Sequence, residues 1–235
     1  MWKDLYLQEK HAFVVTKMKY EKHDTKVFVF DFDLTLTSVH TNGNPSLIGK
    51  YMNDKNKTKL IMLFRDIKKK GYGLHICSRG DKVKLQEYCD KHFVFSKKRK
   101  TVNKKHYLII ETIIDKIFGS DESIYPLFDS SKTEKENNVY WAHLKAKYLL
   151  HLSEFLHISK DNIYFFDDTE INVKKAITCG FKNSFLLDQP KKNVDVNNQL
   201  TVNIEKFVDV LEDASMFDQL SLDAPLDAPL DAATF

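Results

Sequence analysis

The chain has 235 residues, of which 43% are hydrophobic and 12% aromatic, a globular composition that excludes a wholly disordered protein. Its three cysteines are too few and too scattered for a disulfide framework or a zinc site, so we expect reduced thiols. No apolar run reaches the length of a membrane span and the N-terminus lacks a signal-peptide core, so we expect a cytoplasmic protein without a membrane partner. The net charge is +3, but no lysine or arginine follows Lys206 and seven acidic residues do. The body before Lys206 is basic, which fits a phosphorylated or polyanionic partner and equally a merely lysine-rich composition.

Apolar runs alternate with amphipathic segments along the chain. We predict buried strands over 27–32, 73–78, 162–168 and 183–188, and helices over 57–70, 82–93, 139–156, 171–179 and 203–212. Segment 106–118 is predicted to form an apolar-faced helix or a helix plus a strand, and 119–138 a polar loop. Alternating strands and helices predict an α/β protein with a three-layer, Rossmann-like and mostly parallel sheet.

The chain is predicted to contain one domain with two extensions. Residues 27–212 have the length of a single domain, and residues 1–26 are expected to pack against it as a short helix or strand. Residues 213–235 contain a tandem Leu-Asp-Ala-Pro repeat, whose composition predicts a disordered acidic tail. The alternative is that this tail docks a partner.

Polar side chains follow three of the predicted strands. Asp31 and Asp33 come after the first, Ser78 after the second, and Asp167 and Asp168 after the third. Because the carboxyl ends of parallel strands share one rim of a sheet, these groups are expected to converge. Any one of them alone also fits a solvated turn, but four acids at one rim require a cation. Mg²⁺, a hard ion with oxygen ligands, is the cofactor we expect.

The segments DFDLTLT, ICSRG, a helical lysine and YFFDDTEIN resemble the four motifs of the haloacid dehalogenase superfamily over about residues 27–188. They are most similar to its capless, magnesium-dependent phosphatase branch. The resemblance implies that Asp31 is the nucleophile and that Asp33 is the general acid and base. It also implies that Ser78 and the lysine bind phosphate, and that Asp31, the main-chain carbonyl of Asp33, and Asp168 hold Mg²⁺.

Further candidate residues lie in or beside the same motifs. The motif lysine is Lys145 or Lys147, and we favour Lys145, which lies 23 residues before Asp168. Asp167 and Asn172 are expected to support the metal site. Asn172 stands where many relatives carry an acid, which predicts weaker metal affinity. Thr35 fits the turn of the first motif, and Arg79 is either a substrate contact or an exposed arginine.

The gaps between the motifs are short, which predicts a minimal cap and an open site. Among relatives, open sites accompany large substrates such as phosphoproteins or nucleic-acid ends. The basic run 97–105 carries six lysines or arginines and could dock a polyanion, act as a nuclear-localisation patch, or be a solvated loop. The nucleus is therefore an alternative to the cytoplasm.

The sequence thus predicts a Mg²⁺-dependent phosphomonoesterase that acts through an aspartyl-phosphate intermediate. One alternative is a catalytically weak binding or scaffold protein that works through its basic loop or acidic tail. A second is a polynucleotide 3′-phosphatase, which would apply the same chemistry to a nucleic-acid end.

Overall fold

The computed structural model describes residues 26–37, 39–41, 53–102, 105–121, 129–189 and 196–222, with the backbone alone for 94–112, 196 and 217–222. The predicted N-terminal extension, apart from Lys26, and residues 223–235 of the predicted tail lie outside these ranges. In chain order the elements are β1 (Val27–Phe30), α1 (Asp54–Lys69), β2 (Gly73–Asp81), α2 (Lys82–His92), β3 (Val94–Val102), β4 (Lys105–Thr112), β5 (Lys116–Ser120), α3 (Glu134–Leu156), β6 (Ile163–Asp167), α4 (Glu170–Thr178), β7 (Ser184–Leu186) and α5 (Val196–Leu222).

Five strands form one sheet in the order β5-β2-β1-β6-β7, and every neighbouring pair is parallel. The prediction of an α/β, Rossmann-like parallel sheet is therefore confirmed. The chain builds from β1 outward to β2 and β5, and then returns to place β6 on the other side of β1. The carboxyl end of β1 is consequently the point where strand order reverses, and in open α/β sheets this is where ligands bind.

Alternate side chains of β1 enter two separate cores. Phe28 and Phe30 face the core that also contains residues of α1, α2 and α5, whereas Val27 and Val29 face residues of α3 and α4. On the first face, aromatic rings stack across the strand pair β1 and β6, with ring centroids 4.9 Å apart for Phe30 and Phe166. Helices cover both faces, which confirms the predicted three layers and holds β1 rigidly at the centre.

The structure differs from the sequence prediction between α2 and α3. The segment 106–118, predicted as a helix or as a helix plus a strand, contains no helix and forms β4 and the start of β5. Strands β3 and β4 pair as an antiparallel hairpin. Helix α3 begins at Glu134, inside the predicted polar loop, because Thr133 and Glu136 form a capping box at its start.

The last helix is also longer than predicted. Helix α5 extends through Leu222, into the segment that the sequence assigns to the tail. Within the described residues, no helix has the combination of length and apolar character that crossing a membrane requires.

Candidate functional site

The carboxyl ends of β1, β2 and β6 bring the predicted site residues to one rim of the sheet. Strand β1 pairs with β2 on one side and with β6 on the other, so Asp31, Ser78 and Asp168 follow adjacent strands. Carboxylate oxygens of Asp31, Asp167 and Asp168 lie within 4.8 Å of one another. Acids more than a hundred residues apart in sequence therefore form one cluster.

Lys145 of helix α3 supplies a positive charge to this cluster. Its Nζ lies 2.7 Å from Asp167 Oδ2 and 2.9 Å from Asp31 Oδ1, and the side chain is 3% exposed. Burial alone would lower the pKa of Lys145, but attraction to Asp167 and Asp31 raises that pKa above its usual range. Lys147 is exposed two residues further along the helix. Of the two candidate lysines, Lys145 is the one that reaches the site.

Asp167 is the fully buried member of the cluster. Asn172 Nδ2 donates to both of its carboxylate oxygens, at 2.9 Å and 3.1 Å, and the Thr169 amide donates at 2.8 Å. Burial raises the pKa of Asp167 to about 6, although Lys145 acts in the opposite direction. Asp167 and Asn172, predicted to be supporting residues, therefore form one hydrogen-bonded unit at the site.

Asn172→Asp tests the contribution of this hydrogen-bonded unit to stability. Without metal, we expect the free energy of unfolding to fall by about 2 kcal/mol, because a carboxylate replaces two donor contacts and faces Asp167. Urea titration with EDTA measures the effect. Asn198→Asp, on an exposed position of α5, is the matched control and should change little. Equal stability of the two variants would contradict the prediction.

Of the three clustered carboxylates, Asp31 and Asp168 also line the cavity above the rim. Burial raises the pKa of Asp31 to about 6, with Lys145 opposing this shift and Asp168 adding to it. Burial and the neighbouring Asp167 raise the pKa of Asp168 as well. Gln189 Nε2 donates to Asp168 Oδ2 at 3.0 Å, which orients that carboxylate.

The Asp33 carboxylate is hydrogen-bonded to the loop that follows and lines the same cavity. It accepts hydrogen bonds from the Thr41 amide at 3.0 Å and from Thr41 Oγ1 at 2.7 Å. His40 Nδ1 lies 3.9 Å away, and its interaction with Asp33 raises the pKa of His40. Asp33 therefore lies at the wall of the cavity, in a position fixed by His40 and Thr41.

The turn after β1 positions the two aspartates. Leu34 adopts a left-handed conformation with φ of 57°. Thr37 Oγ1 accepts from the Leu34 amide at 3.2 Å and donates to the Val39 carbonyl at 2.8 Å. Thr35 is fully buried, and its Oγ1 has no hydrogen-bond partner among the described residues. Of these two threonine side chains, Thr37 and not Thr35 makes hydrogen bonds within the described part of the turn.

A cavity of about 620 Å³ opens above the rim. Ser78, whose Oγ accepts from the Gly80 amide at 3.2 Å, is 2% exposed and contributes to its wall. The cavity is lined by Asp31, Asp33, His40, Ser78, Arg79, Gly80, Glu134, Asn138, Trp141, Lys145, Asp168, Thr169, Asn172 and Gln189.

Sequence reasoning missed several members of this lining. His40 and Gln189 come from loops, where side-chain periodicity gives no signal. Three others, Glu134, Asn138 and Trp141, lie on α3 at helical spacing from Lys145. This spacing would have predicted them if the capping box at Thr133 had been recognised as the start of the helix.

The cluster has the donor set that a hard divalent cation prefers. Three carboxylates with buried or largely buried side chains offer oxygen ligands from one rim. Lys145 contacts both Asp31 and Asp167, so one ammonium is shared by a cluster of three carboxylates. Like charges gathered at a buried site repel one another, and a cation would compensate the remaining negative charge. The residues present therefore fit a bound Mg²⁺.

Neither protein-family models nor curated proteins match this chain. Among solved structures, it is similar to the N-terminal part of BF1531 from Bacteroides fragilis, which contains a phosphatase domain and was solved with Mg. The identity is 13%, the TM-score is 0.45, and the match covers 78% of this chain and 41% of that one. The chain therefore spans about two fifths of the length of that structure.

Two further structures are similar over most of this chain. The haloacid dehalogenase family enzyme BT-2542 from Bacteroides thetaiotaomicron, a magnesium complex, is 13% identical with a TM-score of 0.39, covering 72% of this chain and 96% of that one. A substrate-bound phosphoserine phosphatase is 11% identical with a TM-score of 0.39, covering 77% and 99%. These matches are similarities of fold alone. The function of this chain has to be argued from the residues of its own site.

Proposed function

We propose that this chain is a Mg²⁺-dependent phosphohydrolase of the haloacid dehalogenase type, acting on phosphomonoesters. The observation that carries the proposal is the meeting of Asp31, Asp168 and Lys145 at the switch point of the sheet, on the wall of one cavity. Buried like charges of this kind destabilise a protein and are typical of functional sites. Burial raises the pKa of both aspartates, and a bound cation together with the Lys145 ammonium would compensate their charge.

Asp31 is the nucleophile of the proposed reaction. Its carboxylate oxygen attacks phosphorus, an aspartyl-phosphate forms, and the bond to the leaving oxygen breaks. Asp33 donates a proton to that leaving oxygen. In the second step of the reaction, Asp33 takes a proton from water and the water oxygen attacks the phosphorus of the aspartyl-phosphate. The bond from phosphorus to Asp31 breaks, inorganic phosphate leaves, and the Asp31 carboxylate is restored. Lys145 and Ser78 hold the phosphoryl oxygens, and Lys145 also keeps Asp31 oriented.

Asp31, Asp168 and the main-chain carbonyl of Asp33 would hold Mg²⁺, with Asp167 and Asn172 supporting them. When bound, the ion neutralises charge on the phosphoryl oxygens. Asn172 and Thr169 donate to Asp167, and Gln189 donates to Asp168, so these hydrogen bonds orient the two carboxylates.

The same proposal includes an open site and a large or exposed substrate, such as a phosphoprotein or a nucleic-acid end. Supporting this, residues 53–102 and 105–121 contain α1, β2, α2, the hairpin of β3 and β4, and β5, and no globular cap domain lies within those ranges.

Release of inorganic phosphate from phenyl phosphate tests the proposal. We expect turnover in Mg²⁺ that falls at least about tenfold when EDTA removes the ion and returns when Mg²⁺ is restored in excess. Protein carrying Asp31→Asn, purified in the same way, controls for contaminating phosphatases. No release by folded wild-type protein, from phenyl phosphate, phosphopeptides or 3′-phosphorylated oligonucleotides, would overturn the proposal and favour a binding or scaffold protein.

A further inference from the structure

One side of the cavity is a continuous stripe of helix α3. Glu134, Asn138, Trp141 and Lys145 follow one another at intervals of four, three and four residues, and all four line the cavity. At 1.5 Å per residue, the stripe extends about 16 Å from Lys145 to Glu134. Lys145 marks the end where the phosphoryl group would bind. The remainder of the stripe, from Trp141 to Glu134, therefore faces the leaving group of the substrate.

Arg79, which follows Ser78 on strand β2, is hydrogen-bonded to the part of this stripe that lies beyond Trp141. Arg79 Nη1 donates to Asn138 Oδ1 at 3.0 Å, which fixes the guanidinium beside the cavity. Burial lowers the pKa of Arg79, while the nearby Glu134 carboxylate acts in the opposite direction. The guanidinium remains charged, and its planar set of donors suits a carboxylate or phosphate.

Trp141, between Asn138 and Lys145, has an unsatisfied donor. The side chain is 2% exposed, and its indole Nε1 is buried without a hydrogen-bond acceptor among the described residues. Buried indole N–H groups usually have a partner, and leaving one without any is costly. Because that nitrogen is closed off from solvent, a ligand in the cavity does not reach it in this arrangement, and Trp141 serves as cavity wall between Asn138 and Lys145.

We propose that Arg79, held by Asn138, forms a leaving-group subsite that selects phosphomonoesters whose leaving group carries a second anionic group. The inference rests on the proposed phosphohydrolase function and adds the class of substrate. Arg79 is the specificity-determining residue, Asn138 positions it, and Trp141 is the stretch of cavity wall between them and Lys145.

Matched aryl phosphates measure this selectivity. The probes are phenyl phosphate, 4-carboxyphenyl phosphate and 4-(phosphonomethyl)phenyl phosphate, with 4-(aminomethyl)phenyl phosphate as the cationic counterpart. We expect wild-type kcat/KM for an anionic probe to exceed that for phenyl phosphate by about tenfold, the size of one charge-assisted contact. Whichever anionic probe is preferred identifies the source of the anion as carboxylate or phosphate.

Three variants separate the subsite from general damage. Arg79→Gln should lower the ratio of kcat/KM between anionic and neutral probes by about tenfold relative to the wild type, and comparing the two proteins cancels the different reactivities of the leaving groups. Glu134→Gln should raise the ratio, because it removes a competing negative charge beside Arg79. Arg65→Gln, at an exposed position of α1, should leave the ratio at the wild-type value.

Equilibrium binding distinguishes failure of the subsite from failure of the proposed function. Benzylphosphonate and 4-carboxybenzylphosphonate, titrated in Mg²⁺ into wild-type and Arg79→Gln protein, need no turnover. We expect tighter binding of the carboxylated ligand to the wild type alone. If this holds while no ester is hydrolysed, the subsite stands and the proposed function fails. Equal binding of the carboxylated ligand to wild type and Arg79→Gln overturns the subsite whether or not hydrolysis occurs, and so does a kcat/KM ratio that is the same in both proteins.

Discussion

Asp31→Asn is expected to lower phosphomonoester hydrolysis by about 10⁴-fold or more and, at the same time, to stabilise the metal-free protein. The loss of activity follows because an amide cannot attack phosphorus. The gain in stability follows because the Asp31 carboxylate is buried beside other acids, which raises its pKa from 3.8 to about 6 despite the ammonium of Lys145.

The sign of the stability change depends on pH. Between about pH 4 and pH 6 the folded wild type binds a proton at Asp31 that the unfolded chain has lost, so its stability falls as pH rises. Above pH 6 the full penalty remains, about 3 kcal/mol for a shift of roughly two units. Asparagine cannot ionise and avoids this penalty. The difference in the free energy of unfolding between Asp31→Asn and the wild type should therefore be small below pH 4 and largest at neutral pH.

Urea titrations with EDTA across this pH range measure the difference. Asp213→Asn, at an exposed position of α5, is the matched control and should stay within about 0.5 kcal/mol of the wild type. Adding Mg²⁺ should stabilise the wild type more than Asp31→Asn, because the cation favours the ionised carboxylate. If the variant is less stable than the wild type at neutral pH in EDTA, the ionised Asp31 carboxylate does not destabilise the metal-free cluster, and the prediction is wrong.

The rim of the sheet was predictable because it follows from a general property of parallel strands. Buried runs before Asp31, Ser78 and Asp167 identified three strands, and parallel pairing placed their carboxyl ends together. No such rule covers the loops. The contacts of Asp33 with His40 and Thr41 depend on the path of the chain after the turn, which hydrophobic pattern does not specify.

The hairpin of β3 and β4 was missed for a different reason. Isoleucines 109, 110, 113, 114 and 117 fit the spacing of a helix face, and the same residues are β-branched and fit a strand. The structure divides the run at Asp115, whose carboxylate accepts hydrogen bonds from Lys68 and from the Leu74 amide. This contact joins segments distant in sequence, so the pattern within the run could not reveal it.

Lys145→Met is expected to lower the free energy of unfolding by about 3–5 kcal/mol at neutral pH, because it leaves Asp31 and Asp167 as buried charges without their partner. Lys147→Met, exposed on the same helix, is the control and should cost less than about 1 kcal/mol.

The loss should shrink toward pH 5, where both acids can protonate, and much of it should be recovered in the double variant Lys145→Met/Asp167→Asn. Urea titration of the wild type, Lys145→Met, Asp167→Asn and the double variant, at neutral pH and at about pH 5, completes the double-mutant cycle. Full additivity of the two substitutions would mean that Lys145 and Asp167 do not interact. Lys145 also contacts Asp31, the proposed nucleophile. Lys145→Met should therefore lose hydrolysis even at temperatures at which the variant stays folded.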